Sequence, residues 1–365
     1  MYSVKVDLGS RSYPIFIGDG ITEKLGEMLK LYGLHGSCVV VTDSDVPTEY
    51  VQALQASLRD DMKALDTLTI PAGEASKSLQ GIEGLVTQML ERKYDRHVTV
   101  LAFGGGVVGD VAGFLAAIYK RGVSYVQMPT TLLAQVDSSI GGKTGVNHPL
   151  GKNQIGVIYQ PKLVWTDLAF LQTLPRKQVV SGLGEVVKYA VIRDAVLFEF
   201  LETHLQSILE LNSEHLLTVV QRCAEIKAEV VSEDECESGS RMILNCGHTV
   251  GHAIEAAAGY SNISHGEAVL LGIVAEAKIA FEMGHLSDEV FIRIEHLIAR
   301  LERQTVVRSL PFEELWRLMQ SDKKSQAGKL RFVLPTAIGD VTICDDIPRN
   351  KVKRGVDYLF QKNLQ

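Results

Sequence analysis

Two histidines four residues apart, His248 and His252, stand in the segment Asn245-Cys246-Gly247-His248-Thr249-Val250-Gly251-His252. On a helix that spacing puts both imidazoles on one face. No glutamate follows the first, so the segment is not the HExxH motif of metalloproteases. A second cluster, Ser264-His265-Gly266-Glu267, falls at the expected start of the next helix. Glu185 interrupts the otherwise apolar stretch Ser181-Gly182-Leu183-Gly184-Glu185-Val186-Val187-Lys188. Two histidines and one glutamate, with a fourth position open, form the donor set of a catalytic zinc. Spacing alone leaves the second histidine open between His252 and His265. A plainer reading stands beside this one: Glu185 and Lys188, three apart, could simply pair, because an unpaired buried charge is expensive.

Gly104-Gly105-Gly106-Val107-Val108-Gly109 satisfies GxGxxG between an apolar strand, Val98 to Phe103, and a helical run, Val111 to Tyr119. Such glycines permit a tight turn and let the backbone approach a pyrophosphate, which the helix N–H groups then face. A packing turn would share the same letters. The acid that should hold a ribose about 20 residues further on is missing, since the chain there reads Tyr125-Val126-Gln127-Met128. Asp43, just after the strand Ser37 to Thr42, is the better candidate for that contact. Gly141-Gly142-Lys143-Thr144 imitates the end of a GxxxxGK[ST] phosphate loop, but Asp137 stands where the first glycine belongs, which excludes an ATPase of that type. Asp137, Lys143, Asn147, Lys152 and Asn153 lie in a glycine-punctuated stretch that reads as a site-bearing loop or a solvated one.

The elements that must position these groups fall into two kinds. Val4/Val6/Leu8 and Ile15/Ile17 read as an opening hairpin, and 37–42, 67–70, 98–103, 123–128 and 163–166 as further strands, separated by helical segments such as 51–58 and 82–90. Apolar strands alternating with helices predict a parallel, Rossmann-like α/β sheet, with ligands at its carboxyl ends: Asp43, Gly73-Glu74, Gly104 to Asp110, and Thr130-Thr131. After Pro175 the period becomes 3.6, over 179–189, 195–211, 215–231, 245–258, 266–283, 288–301 and 312–319, with strands only at 330–334 and 340–344. The expected division is 1–174, α/β, and 175–365, mainly helical, with the active site in the crevice between them.

A chain of 365 residues suits about two domains at roughly 150 residues each. Its net charge of −7 and lack of any Lys/Arg run argue against a nucleic-acid partner, though not against a small anion held in a local basic pocket. Five cysteines without a CxxC pair do not form a disulfide framework and fit a reducing compartment. The N-terminus has no signal-peptide core, and no run approaches the ~18 apolar residues of a membrane span. A cytoplasmic enzyme without membrane contact is expected.

The segments GEASK (73–77), GGGVVGD (104–110), MPTTLLAQVDSSIGGKTGVN (128–147), GKNQIG (151–156), GEVVKYAVI (184–192), NCGHTVGHAIE (245–255) and SHGEAV (264–269) together resemble the 3-dehydroquinate synthase family along essentially the whole chain. No functional residue of the family is replaced. The resemblance implies zinc (or cobalt) on Glu185, His248 and His265, with His252 beside the substrate as proton carrier. It implies NAD contacts from Asp43, Glu74, Lys77, Gly106, Val107, Val108, Gly109, Asp110, Thr130, Thr131, Lys143, Lys152, Phe170, Leu171, Gln172 and Thr173. It implies a substrate pocket of Asp137, Lys143, Lys152, Asn153, Lys188, Lys227, Arg241, Asn245 and His252, joined by Arg121 and by Lys323 or Lys324; of these, His252, Lys143, Lys188, Asp137 and Asn153 would be catalytic. The implied reaction turns 3-deoxy-D-arabino-heptulosonate 7-phosphate into 3-dehydroquinate by transient NAD oxidation, phosphate elimination, re-reduction and intramolecular aldol closure, in a homodimer of the shikimate pathway. Basic side chains suit a substrate with a carboxylate and a phosphate. Rival readings are a sister cyclase making a cyclitol, from which Arg241 and Lys227 argue away, and a metal-dependent polyol dehydrogenase, which would place Asp where this chain has Glu185.

Overall fold

The computed structural model describes residues 1–237, 239–259, 263–301, 310–321 and 330–361. Two compact units result: Met1–Leu174 with Leu216–Cys236, and Pro175–His215 with Glu237–Gln365. The expected single cut after Leu174 is therefore corrected, because Leu216–Cys236 joins the first unit. There Tyr2 Oη donates to Glu225 (2.7 Å), Asp7 N–H to Ser232 Oγ (2.9 Å) and Gln160 Nε2 to Glu235 (2.9 Å).

The first unit carries β1 (Tyr2–Val6), β2 (Tyr13–Gly18), β3 (Ser37–Asp43), β4 (Ala64–Ile70), β5 (Thr99–Gly104), β6 (Ser124–Pro129), β7 (Lys143–His148), β8 (Gly151–Ile158) and β9 (Val164–Asp167). Its helices include α1 (Leu25–Leu31), α2 (Thr48–Leu58), α3 (Leu79–Glu91) and α4 (Gly106–Ile118). Seven strands form one sheet in the order β1-β2-β9-β6-β5-β3-β4, parallel except for β1 against β2. Successive residues of a strand point to opposite faces, and both faces here are covered. Val39 and Val41 pack with Val100, Ile82, Leu85 and Val111, whereas Cys38 and Val40 pack with Leu101, Phe103, Leu25 and Leu54. Double coverage is why these strands read as unbroken apolar runs. The chain switches sides of the sheet between β3 and β5, where open α/β sheets gather ligands at the strand ends. Asp43 ends β3 and Gly104 ends β5.

Where the sequence reads a loop, β7 and β8 form an antiparallel hairpin. Gly145 and Gly156 lie opposite one another, and a Cβ on Gly156 would sit 2.1 Å from Thr144 O. Close backbone approach excludes side chains there, which removes the β-branched signature a strand would otherwise show.

The second unit contains α5 (Arg176–Arg193), α6 (Ala195–Leu209), the start of α7 (Ser213–Glu233), α8 (His248–Ala257), α9 (His265–Glu282), α10 (Asp288–Ala299), α11 (Phe312–Ser321), α12 (Arg349–Gln361) and the hairpin of β10 (Arg331–Ala337) with β11 (Asp340–Asp345). Helix α9 is buried all round from Gly266 to Ala277, with α5, α8 and α12 packed on it. Contact with α5 and α8 is backbone to backbone. A Cβ on Gly266 would lie 1.8 Å from Ser181 O, and one on Gly272 would lie 1.8 Å from Gly247 O.

Gly266→Ala must therefore push α5 and α9 apart and should cost at least about 3 kcal/mol. Gly84→Ala, on α3 with open space around its Cβ, should instead stabilise by about 0.5–1 kcal/mol. Urea unfolding of both variants checks the contrast, and equal effects would contradict the packing.

Candidate functional site

Helix α5 is apolar around two charges, Glu185 (1% exposed) and Lys188 (2%). Lys188 Nζ pairs with Glu185 Oε2 and also lies 4.4 Å from the Tyr189 ring centroid. The plainer expectation of an internal pair therefore holds, yet it occupies only one carboxylate oxygen. The other, Oε1, lies 3.5 Å from His248 Nε2 and 3.2 Å from His265 Nε2. The ligand atoms of Glu185, His248 and His265 all fall within 4.8 Å of one another. Tetrahedral zinc with bonds of about 2.1 Å holds its ligand atoms about 3.4 Å apart, so these donors fit one ion.

The second nitrogen of each ring is also engaged. His248 Nδ1 faces Cys246 O at 3.1 Å, and His265 Nδ1 faces Glu255 Oε2 at 3.2 Å. Partners of this kind fix the tautomer and aim Nε2 at a metal. Glu255 went unremarked in the sequence, although positions 248, 252 and 255 share one helical face. His252 stands beside the donor set, half-buried, with its ring centroid 5.2 Å from that of His248 and 5.9 Å from that of His265. The choice that spacing left open thus falls on His265. Arg241 is 2% exposed in the turn Ser240–Asn245 that leads into α8, and Asn245 Nδ2 donates to Glu237 at 3.2 Å. Lys323 and Lys324 lie outside the described residues.

In the first unit the glycine turn joins β5 directly to α4. A Cβ on Gly104 would strike Val108 at 2.5 Å, and one on Gly109 would meet Gln127 at 2.9 Å. The stretch where a ribose acid was sought thus supplies Gln127, buried beneath the turn, whose Nε2 donates to Gly109 O at 3.4 Å. Val107 and Val108 belong to the first turn of α4. Lys77 Nζ pairs with Asp110 at 2.5 Å, and Asn147 joins Glu74 (2.7 Å) to the Asn153 N–H (2.8 Å). Burial pushes the Asp110 carboxyl up against the pull of Lys77, and burial likewise raises Asp43. Thr130 N–H donates to Gly104 O at 3.0 Å, while Thr131 packs on Gly105.

Asp137 lies in a π-helical turn, Ala134–Ser138, a form common at functional sites. Lys227 Nζ donates to its backbone oxygen (2.6 Å) and contacts its carboxylate (2.9 Å). Ser138, not anticipated, lies 3.0 Å from where a Gly106 Cβ would be. Lys152 and Asn153 sit at one end of the β7–β8 hairpin, while Lys143, opposite Ile158, sits at the other. Arg121 is exposed at a φ of +67°. Phe170 packs on Tyr50 and Phe103, each at 5.1 Å, and Leu171 is buried, so within this turn only Gln172 and Thr173 offer exposed side chains.

Burial opposes charge on His265, but hydrogen bonds and charges from Glu185 and Glu255 outweigh it and hold the ring's pKa at about 10. The imidazolium is therefore the ion-free form at neutral pH, and a metal must displace its proton. Zinc binding at neutral pH should release about one proton, and zinc affinity should fall as pH falls. Calorimetry in two buffers of different ionisation enthalpy reads the release; its absence would contradict this assignment.

Residues 67–181 match the family model for the N-terminal part of 3-dehydroquinate synthase, and residues 182–325 match that for its C-terminal part. The 3-dehydroquinate synthase of Shewanella sp. (strain MR-4) is 43% identical over 96% of this chain and 98% of its own length. That of Desulforamulus reducens is 47% identical over 95% and 97%. Among solved structures, 2-deoxy-scyllo-inosose synthase with carbaglucose-6-phosphate, NAD+ and Co2+ superposes with a TM-score of 0.89 at 26% identity, covering 97% of this chain and 99% of that one. The 2-epi-5-epi-valiolone synthase ValA of Streptomyces hygroscopicus, with NAD+ and Zn2+ bound, gives 0.89 at 27%, covering 98% and 99%.

Proposed function

We infer the reaction from one premise: the chain belongs to the 3-dehydroquinate synthase family. It converts 3-deoxy-D-arabino-heptulosonate 7-phosphate to 3-dehydroquinate and inorganic phosphate, with NAD and zinc (or cobalt) as cofactors. The observation that carries this reading is full-length identity of 43% and 47% to named 3-dehydroquinate synthases, against 26% and 27% to the cyclitol-forming neighbours.

When bound, NAD supplies a transient hydride acceptor and zinc supplies the Lewis acidity that acidifies a substrate hydroxyl. Glu185, His248 and His265 hold the ion, and Lys188 balances the Glu185 charge from the opposite oxygen. The glycine turn, with the N–H groups of α4, receives the dinucleotide pyrophosphate, and Asp43 at the neighbouring strand end receives its ribose. His252, beside the metal ligands, carries protons. Arg241 meets the substrate carboxylate, and Lys152 with Asn153 meets the phosphate. Lys227 acts by holding Asp137, the partner it has in the structure. The net change is loss of phosphate and closure of a ring, with no net redox. We further propose a cytoplasmic homodimer in aromatic amino acid biosynthesis. Five cysteines without a disulfide support a reducing compartment.

Phosphate release from the heptulosonate phosphate by the metal-stripped protein should require zinc and NAD together and leave no net NADH. Release with either alone, or accumulation of NADH, would sink the reading. His252→Ala should keep zinc and lose about 100-fold or more in turnover, the usual contribution of a positioned proton carrier.

A further inference from the structure

We infer that Glu276 is a positioning residue of the metal site, acting on His248 through the single Cys246–Gly247 peptide. The inference rests on the metal site proposed above and extends it to a residue outside the donor set. Gly247 caps α8 at a left-handed φ of +78° with no side-chain capping bond of its own. The first N–H groups of a helix have no partner within it, so acceptors must come from elsewhere. Glu276, wholly buried on α9, provides them: Oε2 accepts from Gly247 N–H at 2.6 Å and Oε1 from Val250 N–H at 3.4 Å. A carboxylate taken out of water is expensive unless donors meet its charge, and the positive end of a helix favours it there.

The other side of the same peptide faces the ligand. Its carbonyl, Cys246 O, lies 3.1 Å from His248 Nδ1. A carbonyl only accepts, so Nδ1 carries the proton and Nε2 is the nitrogen presented to the metal. A carboxylate drawing on the N–H of a peptide polarises its C=O and makes it a better acceptor. Glu276 thus does for His248, across one peptide, what Glu255 does directly for His265. Gly272, one turn before Glu276 on α9, admits the Gly247 carbonyl where any Cβ would clash. That carbonyl belongs to the next peptide, Gly247–His248, so the chain is held against α9 on both sides of the Gly247 Cα.

Glu276→Gln keeps the shape of the side chain and removes its charge. Zinc affinity by chelator competition, well below the melting temperature, should weaken about 10- to 100-fold, the usual effect of losing an outer partner of a ligand. NAD affinity should not change. A folded Glu276→Gln chain that binds zinc as the parent does would overturn the inference, because a carboxylate serving only the fold lowers the melting temperature without moving that affinity. Should the variant not fold, nitrogen NMR of histidine-labelled, zinc-loaded parent decides: His248 is expected to ligate through Nε2 with a proton on Nδ1, and ligation through Nδ1 overturns the relay. A parent chain that binds no zinc would instead sink the metal site itself, an outcome distinguishable from both.

Discussion

The metal site depends on how closely three helices can lie. Glu185, His248 and His265 come from α5, α8 and α9, and their ligand atoms meet within 4.8 Å. Ordinary helix pairs are 8–10 Å apart because side chains separate them. Here Gly266 touches the backbone of α5, and Gly272 touches that of the residue before α8. With side chains removed at the crossing points, a short glutamate can reach two imidazoles from a third helix. The site is thus set by what α9 lacks as much as by what it carries.

Charge balance inside that packing follows the same economy of shape. Glu185 is almost wholly buried, and its two oxygens face different partners, Lys188 on one side and two imidazoles on the other. A carboxylate with a single partner would be left with an unmet lone-pair face in a medium where that is expensive. Glu255 behind His265 and Lys77 against Asp110 repeat the pattern of one buried or half-buried charge answered at short range.

Much of this was legible in the chain. The apolar runs of β3, β5 and β6 reported a doubly covered parallel sheet, because burial on both faces leaves no polar alternation. The glycine turn and Asp43 were readable because strand ends at a side switch are adjacent by topology. What escaped were features whose cause is three-dimensional. The β7–β8 hairpin hid behind glycines required by backbone contact, and the assignment of Leu216–Cys236 to the first unit leaves no mark in helical periodicity. His265 could not be preferred over His252 by spacing, since the decision lies in how α9 docks rather than in local sequence. Ser138 was silent for the same reason, whereas Glu255 shares a helical face with His248 and His252.

The division of the chain has a consequence for how the protein comes into being. The first unit does not end at Leu174; it takes in Leu216–Cys236, whose Lys227 grips the Asp137 turn and whose Glu225 receives the Tyr2 hydroxyl. A ribosome delivers those residues only after the opening helices of the second unit have been made. A nascent chain that has just emerged past β9 therefore still lacks the partners of Tyr2, Asp7, Asp137 and Gln160 that this segment supplies. Gene fragments cut at the apparent boundary would lose the same contacts, because the first unit is not one continuous length of polypeptide.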